Sequence, residues 1–313
     1  MNNEYKITSI TDLHADKWLE RRIAVIDADS IAWSVGWFFK DDPTNREAIN
    51  KAVDDYVLGI FYGTQCDKYV GILAPDKIQS LGIPNFREKI AHKDRPYKGN
   101  RPPKPEWYVQ IAPIIEDRLI HHWRFIQTPA GYEADDCVAT MITCLKSQPF
   151  DLRVICCGVD KDLLQIPGEH YNLKTKAFST VDEDEANFSL WLQVIMGDST
   201  DGIPGVPKVG IRKATKLLKD YHSDIYNIVT LEFYIQTFGE YEGIKRFYET
   251  YMLVKLNNQV PIPDNANRWE YLDIDKVNEY IGGIKEAQEI AAFEEAHEDL
   301  MYFKEDDRNE ETE

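Results

Sequence analysis

Three short apolar runs, each leading to an aspartate, constrain this chain more than any other feature. Ile23–Ala24–Val25–Ile26 runs into Asp27, Tyr69 to Leu73 into Ala74–Pro75–Asp76, and Leu152 to Cys157 towards Asp160 and Asp162. Mainly apolar runs of this length suit strands buried on both faces, and hence a parallel sheet covered by helices. Helical patterns lie between them. One spans about Asn45 to Cys66, with Ile49, Val53, Tyr56, Val57, Ile60 and Phe61 on one face. Glu106 to His122 is another, started or kinked by Pro113, and Gly131 to Lys146 a third. The alternation predicts an α/β fold. Ligands of open parallel sheets bind outside the carboxyl ends of the strands, so the acids after the three runs are expected at one edge. Beyond about residue 187 the pattern turns helical. The expected organisation is an α/β domain over 1–187 with a distinct segment at about 77–110, a helical region over 188–290, and an acidic tail over 291–313.

The chemistry concentrates in five segments: Val25–Ile–Asp–Ala–Asp–Ser30, Ala74–Pro–Asp76, Gly131–Tyr–Glu–Ala–Asp–Asp136, Gly158–Val–Asp–Lys–Asp162 and Met196–Gly–Asp–Ser–Thr–Asp201. Any one of these acids is readily a helix or turn cap. Gathered in apolar surroundings, they repel one another and each loses hydration. Hard divalent cations remove that cost, and all-oxygen ligand sets are what Mg²⁺ prefers. Such ions can activate a water and stabilise the leaving oxygen of a phosphodiester.

A net charge of −18 speaks against a nucleic-acid partner only if it is spread evenly. It is not. Glu294 to Glu313 holds ten acidic and two basic residues, and so −8 of the total. Arg87 to Lys104 carries seven Lys or Arg, punctuated by Pro96, Pro102 and Pro103, and cannot be one regular helix. Within it, Tyr97–Lys98–Gly–Asn–Arg101 places cations beside an aromatic, suited to phosphate and base. A second basic cluster comprises Lys208, Arg212, Lys213, Lys216 and Lys219. It follows a glycine turn, Gly205 to Gly210, that opens an amphipathic helix with Ala214, Leu217 and Leu218 on its apolar face. Five cysteines (Cys66, Cys137, Cys144, Cys156, Cys157) lack zinc-ligand spacing and read as reduced core thiols of a cytoplasmic protein. No run reaches the roughly 18 apolar residues of a membrane span, and no signal-peptide layout opens the chain.

In these segments and their order, over roughly residues 20–220, the chain resembles the 5′-nuclease superfamily, especially the small phage 5′→3′ exonucleases. The specific stretches are Glu–Ala–Asp–Asp136, then Asp–Lys–Asp162, then Gly–Asp–Ser–Thr–Asp–Gly–Ile–Pro–Gly–Val206. The resemblance implies a PIN-like α/β fold with a central, mainly parallel sheet and a helix–hairpin–helix. It implies two Mg²⁺ ions, with Mn²⁺ able to substitute, one served by Asp27, Asp76, Glu133, Asp135 and Asp160. Asp162, Asp198 and Asp201 would hold the other, with Asp136 available to either. Asp29 departs from the commonest family pattern and is expected to support the ligating acids from behind or to be structural. Segment 77–110 would be the arch, where Lys98 and Arg101 contact the scissile phosphate and Tyr97 stacks on a terminal base. Gly205, Val209, Gly210, Arg212, Lys213 and Lys216 would grip duplex DNA, often with K⁺ in this family, though Pro207–Lys208 stands where Pro–Gly is common.

The implied activity is 5′→3′ exonucleolytic hydrolysis of duplex DNA or RNA–DNA hybrids during phage replication or recombination, with replication proteins as possible partners. A structure-specific 5′-flap endonuclease or primer remover is the alternative within the class. A non-catalytic DNA-binding module and a Ca²⁺- or Mg²⁺-stabilised structural protein are the alternatives outside it. The first has no reason to retain the repelling acids, and the second none for Lys98, Arg101 and the basic hairpin.

Overall fold

The computed structural model describes residues 22–262 except 67, 79, 92, 93, 150 and 151, with 270, 271, 279, 282, 283 and 286 beyond. Nearly all of these fall in one compact unit, Arg21–Tyr271; the other unit, Met1–Glu20 with Leu272–Glu313, lies outside the described residues apart from those last four positions. The acidic tail is therefore outside them too.

All three apolar runs are strands: β1 (Arg22–Asp27), β2 (Lys68–Leu73) and β4 (Arg153–Gly158). β1 lies between the other two and is parallel to both, with Asp27 beside Ile72 and Ile26 beside Cys157. Their carboxyl ends thus meet at one edge, as chain order predicted. The sheet is completed by strands that carry no apolar run. They are β3 (Ile126–Gln127), β5 (Gly168–Asn172) and β6 (Phe178–Val181), in the order β3-β2-β1-β4-β5-β6. Glu270–Tyr271 adds an antiparallel pair to the start of β2.

The helices are α1 (Ile31–Gly36), α2 (Arg46–Thr64), α3 (Phe86–Ile90), α4 (Glu106–His121) and α5 (Ala134–Lys146). Asn45 caps α2 by accepting from the Ala48 N–H at 3.2 Å, and Ile49, Val53, Val57, Ile60 and Phe61 are buried as the periodicity requires; Tyr56 is only half-buried. α4 continues through Pro113. That proline is exposed, as is Val109 one turn earlier, so water can satisfy the carbonyl that Pro113 cannot bond. The sheet packs against α5, where Val138, Met141 and Ile142 meet Ile23, Val25 and Val154. Helices α6 (Glu183–Met196), α7 (Ile211–Leu218), α8 (Tyr226–Phe238) and α9 (Glu240–Val254) follow. They build a second core around Trp191, whose ring stacks on Phe247 and Tyr251. Two-residue strands β7 (Gly197–Asp198) and β8 (Ile203–Pro204) pair antiparallel between α6 and α7. Four of the five cysteines are buried free thiols; Cys144 departs from expectation in being exposed. Among the described residues no helix is long and apolar enough to cross a membrane.

Candidate active site

A cleft of about 950 Å³ opens at the carboxyl ends of β1, β2 and β4. Its walls include Asp27, Asp29, Asp76, Glu133, Asp135 and Asp160, faced by Lys98 and Arg101. The fold delivers these groups from separate places. Asp27 ends β1, while Asp76 and Asp160 lie in the turns after β2 and β4. Each holds a local N–H, Asp76 that of Ile78 at 2.8 Å and Asp160 that of Asp162 at 2.9 Å. The capping role expected of such acids is real, and it leaves one carboxylate oxygen of each uncommitted to that bond. Glu133 and Asp135 come from the first turn of α5. The cleft continues along Trp33 and Tyr108, whose rings lie 4.2 Å apart at a tilt of 31°.

Three of these acids lack a cation of their own, and their protonation shows it. Burial, then the charges of Asp29 and Asp160, push Asp27 up to about 8, against the pull of the Asp29 N–H. Burial raises Asp29, offset in part by the Ala74 N–H it accepts at 2.8 Å. Burial, then Asp136 and Glu133, drive Asp135 well above the carboxylate range. Glu133 goes the other way: burial would raise it, but Lys98, Arg87 and the Tyr97 hydroxyl outweigh that and hold it low.

A second acidic group adjoins the first. Asp162 is pushed up to about 6 by burial and Asp160, and accepts from Gln193 Nε2 at 2.7 Å. For Asp198, burial is outweighed by Lys161 at 2.5 Å and the N–H groups of Thr200 and Asp201, which hold it low. Asp201 pairs with Arg101 at 2.5 Å and lies 4.0 Å from Lys98. Lys98 also pairs with Glu133 and sits at a left-handed φ of 57°, its N–H bonded to the Asp201 carbonyl at 2.8 Å. Held so by the loop, it stands between the two acidic groups.

The donor set suits a hard divalent cation, since every acid lining the cleft offers oxygen, and three have their ionised form disfavoured by burial, a cost a bound cation would offset. Among the described residues no three His, Cys, Asp or Glu side chains are grouped so as to hold an ion as they stand. Glu133, Asp198 and Asp201 are instead paired with Lys98, Lys161 and Arg101.

Four expectations are corrected. Asp136 is fully buried, and both its oxygens accept from Arg87, at 2.6 and 2.8 Å, so it belongs to the scaffold and is closed to an ion. Tyr97 is buried, its hydroxyl donating to Glu133 at 2.6 Å, with Asp201 at 3.2 Å, and it has no free face for a base. Val209 packs into the helical core. Gly205 is required by a close backbone crossing: a Cβ there would lie 2.1 Å from the Met196 carbonyl carbon. Gly210, by contrast, has open space around it at the start of α7, and Arg212, Lys213 and Lys216 are exposed there. Asp29 anchors the turn after β2 through the Ala74 N–H and also lines the cleft. Lys161 and Arg87 were visible only as members of charged strings, with no pattern to reveal their partners.

Residues 67–189 match the family described as 5′-3′ exonuclease, N-terminal resolvase-like domain. The 5′-3′ exonuclease of Buchnera aphidicola subsp. Schizaphis graminum is 32% identical over 157 residues, covering 46% of this chain and 51% of that protein. DNA polymerase I of Caldicellulosiruptor bescii is 25% identical over 217 residues, covering 64% of this chain and 25% of that protein. The chain thus spans a quarter to a half of the length of these curated relatives. Among solved structures, the phage T5 5′-exonuclease with bound zinc aligns with a TM-score of 0.60 and 16% identity, over 85% of this chain and 99% of that one. A T5 flap endonuclease in a pseudo-enzyme–product complex with DNA and metal ions aligns at 0.58 and 17%, over 85% and 98%. At that identity the likeness concerns the fold.

Proposed function

We propose that the chain is a member of the 5′-nuclease superfamily and, within it, a divalent-metal-dependent 5′→3′ exonuclease acting on duplex DNA or RNA–DNA hybrids. The observation that carries the reading is the single cleft in which Lys98 and Arg101 face six carboxylates at the ends of three parallel strands. Asp27, Asp76, Glu133, Asp135 and Asp160 would hold one ion, Mg²⁺ or Mn²⁺, and Asp162, Asp198 and Asp201 a second. Bound ions supply neutralising charge and Lewis acidity at the phosphate. Lys98 and Arg101 bind and orient the phosphodiester from the opposite wall and stabilise the charge that develops on it. The start of α7, with Gly210 open and Arg212, Lys213 and Lys216 exposed, grips the duplex backbone without reading sequence. The 5′-flap endonuclease shares this cleft. Its likeness in fold to the T5 flap endonuclease keeps it as the second reading.

The test uses a 5′-labelled blunt duplex and a 5′-flap substrate, each with Mg²⁺ and with EDTA. Mononucleotides from the blunt end are expected; excised oligonucleotides would select the flap reading. No Mg²⁺-dependent product from duplex, flap, single strand or hybrid would reject both.

A further inference from the structure

Arg87 lies in the most basic stretch of the chain, yet it is 2% exposed and cannot reach a phosphate. Its guanidinium has five N–H donors in a planar fork. Nε donates to the Leu253 carbonyl at 2.9 Å and Nη2 to that of Lys255 at 3.2 Å. The two terminal nitrogens grip Asp136, and Nη1 also donates to Glu133 Oε2 at 3.1 Å. Asp136 in turn accepts the Asn257 N–H at 2.8 Å. One buried side chain on α3 therefore joins the first turn of α5 to the end of α9.

We infer that Arg87 is a positioning residue for the cleft, orienting the Glu133 carboxylate from the scaffold side. This rests on the nuclease reading above. Glu133 has three side-chain partners, and the other two, Tyr97 and Lys98, both belong to the turn that faces the substrate. With only those two, the carboxylate would follow that turn whenever Lys98 moved towards a phosphate. Arg87 is the partner that stays. Carboxylates that ligate ions are commonly held by such outer hydrogen bonds, and their loss typically weakens metal binding about 10–100-fold.

A purely structural ion pair would tie α9 to α5 and do nothing else, so the test must separate fold from site. Replacing both charges together, Arg87→Met with Asp136→Asn, avoids leaving one of them buried alone. Mn²⁺ binding is measured by electron paramagnetic resonance alongside thermal unfolding and Mg²⁺-dependent cleavage. The expected result is a folded protein whose Mn²⁺ affinity falls about 10-fold or more, with kcat reduced and KM for DNA little changed. In a Glu133→Gln background the same pair should add no further loss, because the group it orients is already altered. Should the neutral pair not fold, Arg87→Lys keeps the charge against Asp136 but lacks the fork that reaches Glu133, and the same weakening is expected. Parental Mn²⁺ affinity in a folded variant, or a loss that adds fully to that of Glu133→Gln, would overturn the inference. A parent protein with neither Mn²⁺ binding nor cleavage would overturn the nuclease reading along with it.

Discussion

Asp135 and Asp136 are neighbours on one helix turn, and they have opposite fates. Asp135 faces the cleft with no cation of its own and is driven well above the carboxylate range by burial and its acidic neighbours. Asp136 points the other way, fully buried, with a bidentate arginine and an additional N–H. The first is an electrostatic debt that only a bound cation or a proton removes. The second is a closed pair that needs nothing from outside. What divides them is the direction of the side chain at the helix start, which a run of consecutive acids does not reveal.

The largest effect should come from the open side of this comparison. Asp160→Ala with Asp162→Ala removes one acid from each group and should abolish Mg²⁺-dependent cleavage, while duplex binding in Ca²⁺ stays close to parental in a gel-shift assay. Cleavage at the parental rate would show that the ions, if bound, sit elsewhere. On the closed side, Asp136→Asn should cost about 3–5 kcal/mol of stability by denaturant unfolding, because it strips the buried Arg87 of its bidentate counter-charge and leaves it only the Glu133 contact at 3.1 Å. The neutral pair Arg87→Met with Asp136→Asn should cost less than that single change. If the single change is the milder, the pair is not what holds α9 to α5.

The open side also predicts a pH dependence. The folded-state pKa of Asp27, about 8, lies above its ordinary 3.8. The folded chain therefore holds a proton that the unfolded chain releases, and the stability this confers is complete below about pH 4. It is lost as the pH rises through 8. Metal-free protein should accordingly melt at lower temperature at pH 8 than at pH 5, and added Mg²⁺ should recover more of the loss at pH 8. Asp27→Asn should raise the metal-free melting temperature at pH 8, since the amide needs no proton to stay neutral. A melting temperature unchanged by either manipulation would place Asp27 in a compensated environment like that of Asp136.

Much of the fold was legible because burial on both faces leaves a plain mark. Three apolar runs gave three adjacent parallel strands, and the acids after them gave the edge of the cleft. β5 and β6 were not legible: Gly168–Asn172 reads Gly–Glu–His–Tyr–Asn, and β6 is exposed along most of its length, so neither carries an apolar run. Within the site, strand ends told where carboxylates gather, since chain direction alone fixes that. Partner choice was not legible, because it depends on contacts between residues far apart in sequence. Arg87 meets Leu253 across 166 positions, and Tyr97 meets Asp201 across 104. A basic residue in a basic string and a tyrosine beside a lysine both looked ready for DNA. Tertiary packing turned both inward.

The smallest predicted effect concerns Lys208, where the local sequence does carry a structural message. Its φ of 60° lies in the left-handed region, at the turn between β8 and α7. A side chain there costs roughly 1–2 kcal/mol relative to glycine in steric terms, and glycine gives some of that back through the greater freedom of the unfolded chain. Lys208→Gly should therefore stabilise the protein by less than about 1 kcal/mol, seen as a rise in urea midpoint at constant slope. The same change removes one exposed cation beside Gly210. If Lys208 serves the duplex grip, affinity should fall and the dependence of log Kd on log salt should flatten by about one unit. A variant that is more stable and binds duplex with the parental salt slope would show Lys208 to be a strained turn residue alone, and would confine the grip to Arg212, Lys213 and Lys216.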